Sequence, residues 1–135
     1  MLTCSEAADT TLDWAFNRYS FGRPLASYQE IKHRFADLKM WLEASYAITE
    51  AAARAVEDDG PDRSTAVSAA KFYVGRQGAE LLQDCVQLHG GIGVTFDHDL
   101  HLFLRRVTSN VPAFGSPSDH ATRITNLLES QEGNA

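Results

Sequence analysis

The stretch Val86-Gln87-Leu88-His89-Gly90-Gly91-Ile92-Gly93 decides how this chain divides into elements. A long pattern of helical period runs into it, and two adjacent glycines stop that pattern. Because glycine enters the left-handed conformation without steric cost, Gly90-Gly91 predicts a helix C-cap. Backbone without side chains also lets a ligand approach closely, and Gln87 offers a donor and an acceptor beside it. The stretch is therefore a helix end and a candidate ligand site.

Two long helices are predicted before this stretch. The nearer one covers about residues 63–88, and the other covers about residues 30–57, with a turn of Asp, Gly and Pro at 58–62 between them. Ser27 and Glu30 have the spacing of a capping box, which predicts where the earlier helix begins. Its predicted packing face recurs at steps of three and four and comprises Ile31, Phe35, Leu38, Leu42, Ser45, Thr49, Ala52 and Val56.

Further helices are predicted on either side. Residues 3–19 carry an apolar helical pattern, which Gly22 and Pro24 interrupt. Asp97 is expected to cap a short helix reaching Arg106, and 111–115 reads as a loop. Ser116-Pro117 then places a cap residue before a proline at the first helical position.

These elements predict one fold class. No segment alternates with period two over a useful length, and neither repeats nor low-complexity tracts occur. We expect an all-α protein, an up-down four-helix bundle forming one domain over residues 1–128, followed by a flexible tail at 129–135.

Composition narrows the classes of function. The chain has 135 residues and a formal net charge of -6, and no basic stripe with interleaved aromatics points to nucleic acid. The two cysteines, Cys4 and Cys85, form no metal or redox pair, so a reduced cytoplasmic location is expected. The sequence contains no run of about 18 consecutive apolar residues, so no membrane span is predicted.

Arg18, Ser20 and Phe21 form a second candidate site. An arginine fork binds phosphate bidentately and an aromatic ring can stack on a base, which suits a nucleotide-like cofactor. The alternative is structural, with the cation completing the helix macrodipole beside a core phenylalanine.

His98 and His101 stand one turn apart and could share a metal, or they could serve only in capping a helix. No third and fourth ligand is spaced to close that site, so helix capping is preferred and no metal is predicted there.

Five motifs occur in an order that carries a resemblance. They are Arg18-x-x-Phe21-Gly22-x-Pro24-Leu25, Gln29-x-Ile31-x-His33-x-x-Ala36-Asp37, Ala69-Ala70-Lys71, Gln87-Leu88-His89-Gly90-Gly91-Ile92-Gly93 and Asp99-Leu100-x-x-x-x-Arg105. Together they closely resemble the C-terminal helical domain of the acyl-CoA dehydrogenase family over about residues 7–128. The resemblance implies a normally tetrameric flavoenzyme in which a carboxylate removes the α-proton of an acyl-CoA thioester and FAD accepts the β-hydride.

The resemblance also implies roles for the two candidate sites. Arg18, Ser20 and Phe21 fall where the family contacts the diphosphate and adenine part of FAD. Gln87, Gly90 and Gly91 fall where the bundle of a neighbouring subunit meets the same cofactor. FAD is therefore expected to be shared with another subunit or domain.

One departure from the family pattern concerns catalysis. The usual catalytic glutamate falls on Phe114, and a phenyl ring cannot accept a proton, so no catalytic residue is expected in this chain. The leading hypothesis is a FAD-contacting, oligomerising domain that is inactive alone, either truncated or acting beside a catalytic acyl-CoA dehydrogenase subunit. Acyl-CoA would then bind only in the complete complex. The alternative is a non-enzymatic helical bundle that self-associates or binds partner helices without cofactor.

Overall fold

A computed structural model describes residues 2–132 of the chain, with side chains described from 3 to 130. Within this range the elements are α1 (Leu2–Asn17), β1 (Tyr19–Ser20), β2 (Arg23–Pro24), α2 (Gln29–Glu57), α3 (Arg63–His89), α4 (Leu100–Asn110) and α5 (Pro117–Glu132). Short 3-10 turns occupy Leu25–Ser27 and Gly90–Val94. The predicted all-α bundle is confirmed, with the four longer helices joined by short connections and by α4.

Helix α3 is the centre of the bundle and packs against each of the other four helices. Its fully buried face carries Leu81, Leu82 and Cys85, which meet Leu38 from α2 and Leu100 from α4. Each fully buried leucine stabilises the fold by about 1.5–3 kcal/mol relative to exposure. The core therefore lies around the second half of α3 and holds the Gly90 end of that helix in place.

The predicted packing face of α2 is confirmed over most of its length but not at its end. Leu38, Leu42 and Ala52 are buried, whereas Val56 is 51% exposed. The helix α1 has 16 residues and α2 has 29, so at about 1.5 Å per residue α1 is roughly 20 Å shorter. Within the described residues, the predicted face of α2 is therefore more exposed toward Val56 than the sequence pattern predicts.

Two of the predicted helix caps are wrong. The helix α2 is preceded by Tyr28 as N-cap without a side-chain cap bond, because Ser27 Oγ donates locally to the carbonyl oxygen of Pro24 at 2.7 Å. The helix α4 begins at Leu100 after Asp99, three residues beyond the predicted cap Asp97, and it continues past Arg106 to Asn110.

The predicted start of α5 is confirmed. The amide of Asp119 donates to Ser116 Oγ at 3.2 Å, and the Ser116 backbone amide donates to Asp119 Oδ2 at 2.9 Å. This reciprocal arrangement satisfies helix donors on both sides of the cap. Helix α5 extends through residue 132, beyond the predicted tail boundary at 129, and residues 133–135 lie outside the described part of the chain.

A small hairpin between α1 and α2 was not predicted. Strands β1 and β2 pair antiparallel with Ser20 opposite Arg23, so Phe21 and Gly22 form a two-residue loop. Both have positive φ, 49° and 79°, as a type I′ hairpin turn requires. The two-residue strands are too short for an alternating pattern, which is why sequence periodicity missed them.

A cationic groove between the hairpin and the end of α3

A groove of about 620 Å³ separates the β1–β2 hairpin from the C-terminal end of α3. Arg18 and Ser20 line one wall, while Gln87, Gly90 and Gly91 line the other. Five of the six predicted cofactor-contacting residues therefore share one surface of one chain. The resemblance places FAD between subunits, and within this chain the two sets of residues line the same groove.

The glycines of this groove differ in what surrounds them. Gly90 caps α3 with φ 65°, and its amide donates to the carbonyl oxygen of Gln87. A Cβ at Gly90 or Gly91 would meet no described atom within 4 Å, whereas one at Gly93 would lie 2.5 Å from the Val86 carbonyl oxygen. Gly93 is thus required for packing the turn onto α3, and Gly91 leaves open space in the groove.

The hairpin wall is fixed by three contacts. The amide of Leu25 donates to the carbonyl oxygen of Arg18 at 2.8 Å, and Tyr28 Oη donates to the carbonyl oxygen of Ser20 at 2.8 Å. The guanidinium of Arg23 lies 3.7 Å from the centre of the Tyr28 ring, a cation–π distance. Tyr28 therefore holds Ser20 in position, a role that its sequence environment did not reveal.

The charges of the groove suit an anion. The described lining contains the guanidinium groups of Arg18 and Arg34 and no carboxylate, in a chain of net charge -6. Arg34 is held 3.4 Å from Asp84 by an ion pair. Arg18 is exposed, with its Cζ 5.8 Å from the centre of the Trp14 ring. Arg18 therefore keeps its hydrogen-bonding fork available for phosphate or carboxylate oxygens.

Trp14 and His89 form part of the lining beneath these groups. Their rings stack with centres 5.1 Å apart, and His98 packs on His89 at 4.4 Å. His89 Nδ1 donates to the carbonyl oxygen of Cys85 at 2.9 Å, which leaves Nε2 unprotonated and, among described atoms, without a hydrogen-bond partner. Burial lowers the pKa of His89, His98 lowers it slightly further, and the bond to Cys85 opposes both.

Sequence reasoning missed Trp14 and Arg34 as groove residues. Trp14 stands four residues before Arg18, so helical spacing alone places Arg18 one turn beyond Trp14, directly after α1. That signal was present in the sequence. Arg34 reaches the groove only through the packing of α2 on α3, which the sequence does not specify.

Phe21 does not line the groove. It stands at the hairpin tip with φ 49° and is 98% exposed. A bulky residue in left-handed backbone costs roughly 1–2 kcal/mol. The hairpin thus holds an exposed aromatic ring in an unfavourable backbone conformation next to the groove wall.

Phe114 has the same properties in the loop between α4 and α5. Its φ is 64° and it is 96% exposed, and Gly115 follows with φ 106°. His120 Nε2 donates to the carbonyl oxygen of Phe114 at 3.1 Å, and Lys71 Nζ donates to that of Ala113 at 2.7 Å. The ring at this position is therefore presented to solvent from a loop fixed by hydrogen bonds.

His98 and His101 make local backbone bonds. The Leu100 amide donates to His98 Nδ1 at 3.3 Å, and His101 Nδ1 donates to the carbonyl oxygen of His98 at 2.8 Å. Across the described residues, no group of three or more His, Cys, Asp or Glu side chains is arranged to hold a metal ion. In the same range, no helix combines the length and apolar character needed to cross a membrane.

Comparison with known proteins identifies the family to which this helical bundle belongs. The family model described as "Acyl-CoA dehydrogenase, C-terminal domain" matches residues 1–125. The chain belongs to this family. This match confirms the resemblance stated from the sequence motifs. Members of the acyl-CoA dehydrogenase family are FAD-dependent oxidoreductases.

Individual relatives extend the match. Acyl-CoA dehydrogenase IpdE2 of Mycolicibacterium smegmatis is 32% identical over 89% of this chain and 37% of its own length. FadE34 of Mycobacterium tuberculosis is 36% identical over 90% of the chain and 17% of its own length. The chain thus spans about a third or less of the curated relatives that it matches.

Solved structures agree on the fold. A variant of the Tcur3481-Tcur3483 steroid ACAD superposes with a TM-score of 0.92 at 28% identity, over 97% of this chain and 36% of that chain. Butyryl-CoA dehydrogenase from Megasphaera elsdenii gives a TM-score of 0.88 at 21% identity, over 93% of this chain and 33% of that one.

Proposed function

We propose that this chain is a FAD-contacting, oligomerising domain of an acyl-CoA dehydrogenase, and that its cationic groove receives the diphosphate and adenosine part of FAD. The observation that carries the proposal is the meeting of Arg18 and Ser20 with Gln87, Gly90 and Gly91 in one groove. The bound flavin supplies a hydride acceptor to the complete enzyme. This chain supplies contacts that hold the cofactor.

The groove residues fit such a cofactor. Arg18 offers a charge-assisted fork for phosphate oxygens, and Gln87 and Ser20 offer polar groups that suit ribose or base atoms. A Cβ at Gly90 or Gly91 would meet no described atom within 4 Å, so a ligand can approach the backbone closely there. A volume of about 620 Å³ lies in the usual range of ligand pockets and suits part of a dinucleotide.

In the proposed function, this chain carries no catalytic residue. By resemblance, Phe114 occupies the place of the family's glutamate base, and a phenyl ring cannot accept a proton. The ring is exposed and its loop contains no carboxylate between Val111 and Ser116. The carboxylate that abstracts the α-proton, and most of the acyl-CoA site, therefore belong to another domain or to a catalytic partner subunit.

Flavin retention tests the proposal. The purified chain is mixed with FAD, alone and together with a catalytic acyl-CoA dehydrogenase subunit, then desalted, and flavin absorbance is measured per chain. Flavin retained by the chain or by the mixed complex supports the groove as a cofactor site. Retention by neither leaves the competing hypothesis, a helical interaction module without cofactor.

Arg18→Ala assigns any retained flavin to the groove. Removing a charge-assisted hydrogen bond costs about 1.5–3 kcal/mol, so affinity should fall roughly ten- to a hundredfold. Arg123→Ala is the matched control, since Arg123 is exposed on α5 and outside the groove lining. Equal flavin affinity in the two variants contradicts the assignment of Arg18.

A further inference from the structure

The second guanidinium of the cationic groove belongs to Arg34, on helix α2. The side chain of Arg34 is 34% exposed and lines the groove together with Ile31, one turn earlier on the same helix. Its ion pair joins Nη2 to Asp84 Oδ1 at 3.4 Å, whereas a good charge-assisted hydrogen bond measures about 2.7–2.9 Å. The pair therefore holds Arg34 loosely and leaves its N–H donors available to a closer acceptor.

The ion pair determines which wall of the groove carries the Arg34 guanidinium. Asp84 lies on α3, three residues before Gln87 and four before Leu88, and the latter two line the groove. Residues at these spacings are neighbours on a helix surface, so Arg34 is held against the α3 wall. Arg18 instead follows the end of α1 and belongs to the hairpin wall. The two guanidinium groups are thus attached to different walls of the groove.

An anion in this groove meets the C-terminal ends of two helices. Helix α1 ends at Asn17 and α3 at His89, directly beside the groove-lining residues Arg18 and Gly90. Carbonyl groups at a helix C-terminus carry partial negative charge and disfavour anions. His89 does not offset this charge at neutral pH, because burial lowers the pKa of its imidazole. A multiply charged anion therefore needs both arginines, and the described lining contains no lysine.

We propose that Arg34 is a second anion-binding residue of the groove and that, together with Arg18, it selects a diphosphate over a single phosphate group. A diphosphate presents oxygens on two linked phosphate groups, so each guanidinium fork can bind one of them, whereas a monophosphate occupies one fork. Asp84 acts as a positioning residue for Arg34. The inference rests on the proposed function for the identity of the ligand, since the diphosphate in question is then that of FAD.

Calorimetric titration of the full chain with inorganic pyrophosphate and with orthophosphate, at low salt and without divalent cations, tests the inference. Pyrophosphate should bind roughly tenfold or more tightly than orthophosphate. Arg34→Gln should weaken pyrophosphate binding by about tenfold or more, as loss of a charge-assisted hydrogen bond does, and should change orthophosphate binding much less. Arg123→Gln is the matched control, because it removes the same charge from an exposed position on α5 outside the groove lining.

A double variant separates contact with the anion from neutralisation of Asp84. Arg34→Gln leaves the Asp84 carboxylate unpaired, and that charge alone repels an anion; adding Asp84→Asn removes the repulsion. If Arg34 binds the anion, the double variant still binds pyrophosphate more weakly than the parent chain does. Recovery of the parent affinity in the double variant, an unchanged affinity in Arg34→Gln, or a parent chain without preference for pyrophosphate overturns the inference. The pair is partly exposed, so both variants should remain folded, which melting temperatures verify.

Flavin retention by the same variants, mixed with a catalytic subunit, distinguishes failure of this inference from failure of the proposed function. Arg34→Gln should lower flavin affinity roughly tenfold relative to Arg123→Gln. Flavin retained equally by both variants rejects Arg34 but leaves FAD in the complex. Pyrophosphate binding that depends on Arg34 and is displaced by coenzyme A, but not by FAD, supports Arg34 as a diphosphate-binding residue and contradicts the proposed function.

Discussion

The chain contains two Phe-Gly turns that share a backbone conformation but differ in their surroundings. Phe21-Gly22 and Phe114-Gly115 both have positive φ at each residue, and both rings are almost fully exposed. The first turn adjoins a groove whose polar lining consists of arginine, serine, glutamine and histidine, whereas the second follows residues that line a groove in which half of the lining is valine or alanine.

The same strained turn therefore occurs in two different environments. Left-handed phenylalanine is unfavourable in both places, so each ring is retained at a cost of roughly 1–2 kcal/mol in backbone energy. Beside the cationic groove, an aromatic ring suits stacking on a base. In the loop after α4, the ring is held in solvent by a backbone that His120 and Lys71 bond. The surroundings of each turn, and not its sequence, therefore decide what its ring can contact.

The largest expected difference between the two turns is the loss of folding stability when each glycine is replaced with alanine. Gly115 has φ 106°, and a Cβ there would lie 3.1 Å from Nε2 of the buried His120, whereas a Cβ on Gly22 would meet no described atom within 4 Å. Gly115→Ala should lower the free energy of unfolding by about 3 kcal/mol, and Gly22→Ala by about 1 kcal/mol. Urea denaturation measures both, and equal losses would mean that the Phe114 loop is not held as described.

Replacing each phenylalanine with asparagine should show which turn takes part in flavin retention. Asparagine tolerates left-handed backbone, so Phe21→Asn and Phe114→Asn should each stabilise the monomer by about 0.5–1 kcal/mol. Phe21→Asn should weaken flavin retention, because its ring stands next to the groove wall at Ser20, whereas Phe114→Asn should leave flavin retention unchanged. Denaturation and flavin absorbance of the same two samples provide the check. Equal flavin retention in the two variants would contradict a role for the Phe21 turn beside the groove.

Acid should lower the free energy of unfolding, because of His89 in the lining of the cationic groove. Burial depresses the pKa of His89 in the folded chain, so below the ordinary histidine pKa of about 6.5 the unfolded chain binds a proton that the folded chain does not. Stability should therefore fall as pH drops from about 6.5 toward the folded pKa of His89. Replacing His89 with glutamine should reduce this slope, while the exposed His33→Gln should preserve it. Equal slopes in the two variants would contradict the assignment to His89.

The sequence predicted the helices well because their signals are local. The end of α3 at Gly90 and the Ser116 cap of α5 depend on backbone rules that act within a few residues. The caps at Ser27 and Asp97 failed because short turns nearby use or displace the same groups. The exposure of Val56 at the end of the predicted α2 face could not be predicted, because a helical period does not say which element packs against it.

Part of the candidate site was also predicted from local signals in the sequence. Arg18, Ser20, Gln87, Gly90 and Gly91 were selected from charge, hydrogen-bonding capacity and helix ends, and the structure places them together. Their assignment to FAD contacts stays a prediction. Their meeting within one chain could not be predicted, since it arises from the packing of α1 and α2 on α3. Phe21 was expected among them and lies outside the groove lining.

The most direct test of the flavin proposal is a comparison of two glycine variants. A methyl group at Gly91 enters open groove space, and one at Gly60 lies 3.4 Å from the Ala55 carbonyl oxygen in the turn before α3, so neither should disturb folding. With melting temperature and flavin affinity measured in the assembled complex, Gly91→Ala should melt like the parent chain but lose flavin, whereas Gly60→Ala should keep it. Equal flavin affinity in both variants would contradict the presence of FAD in this groove.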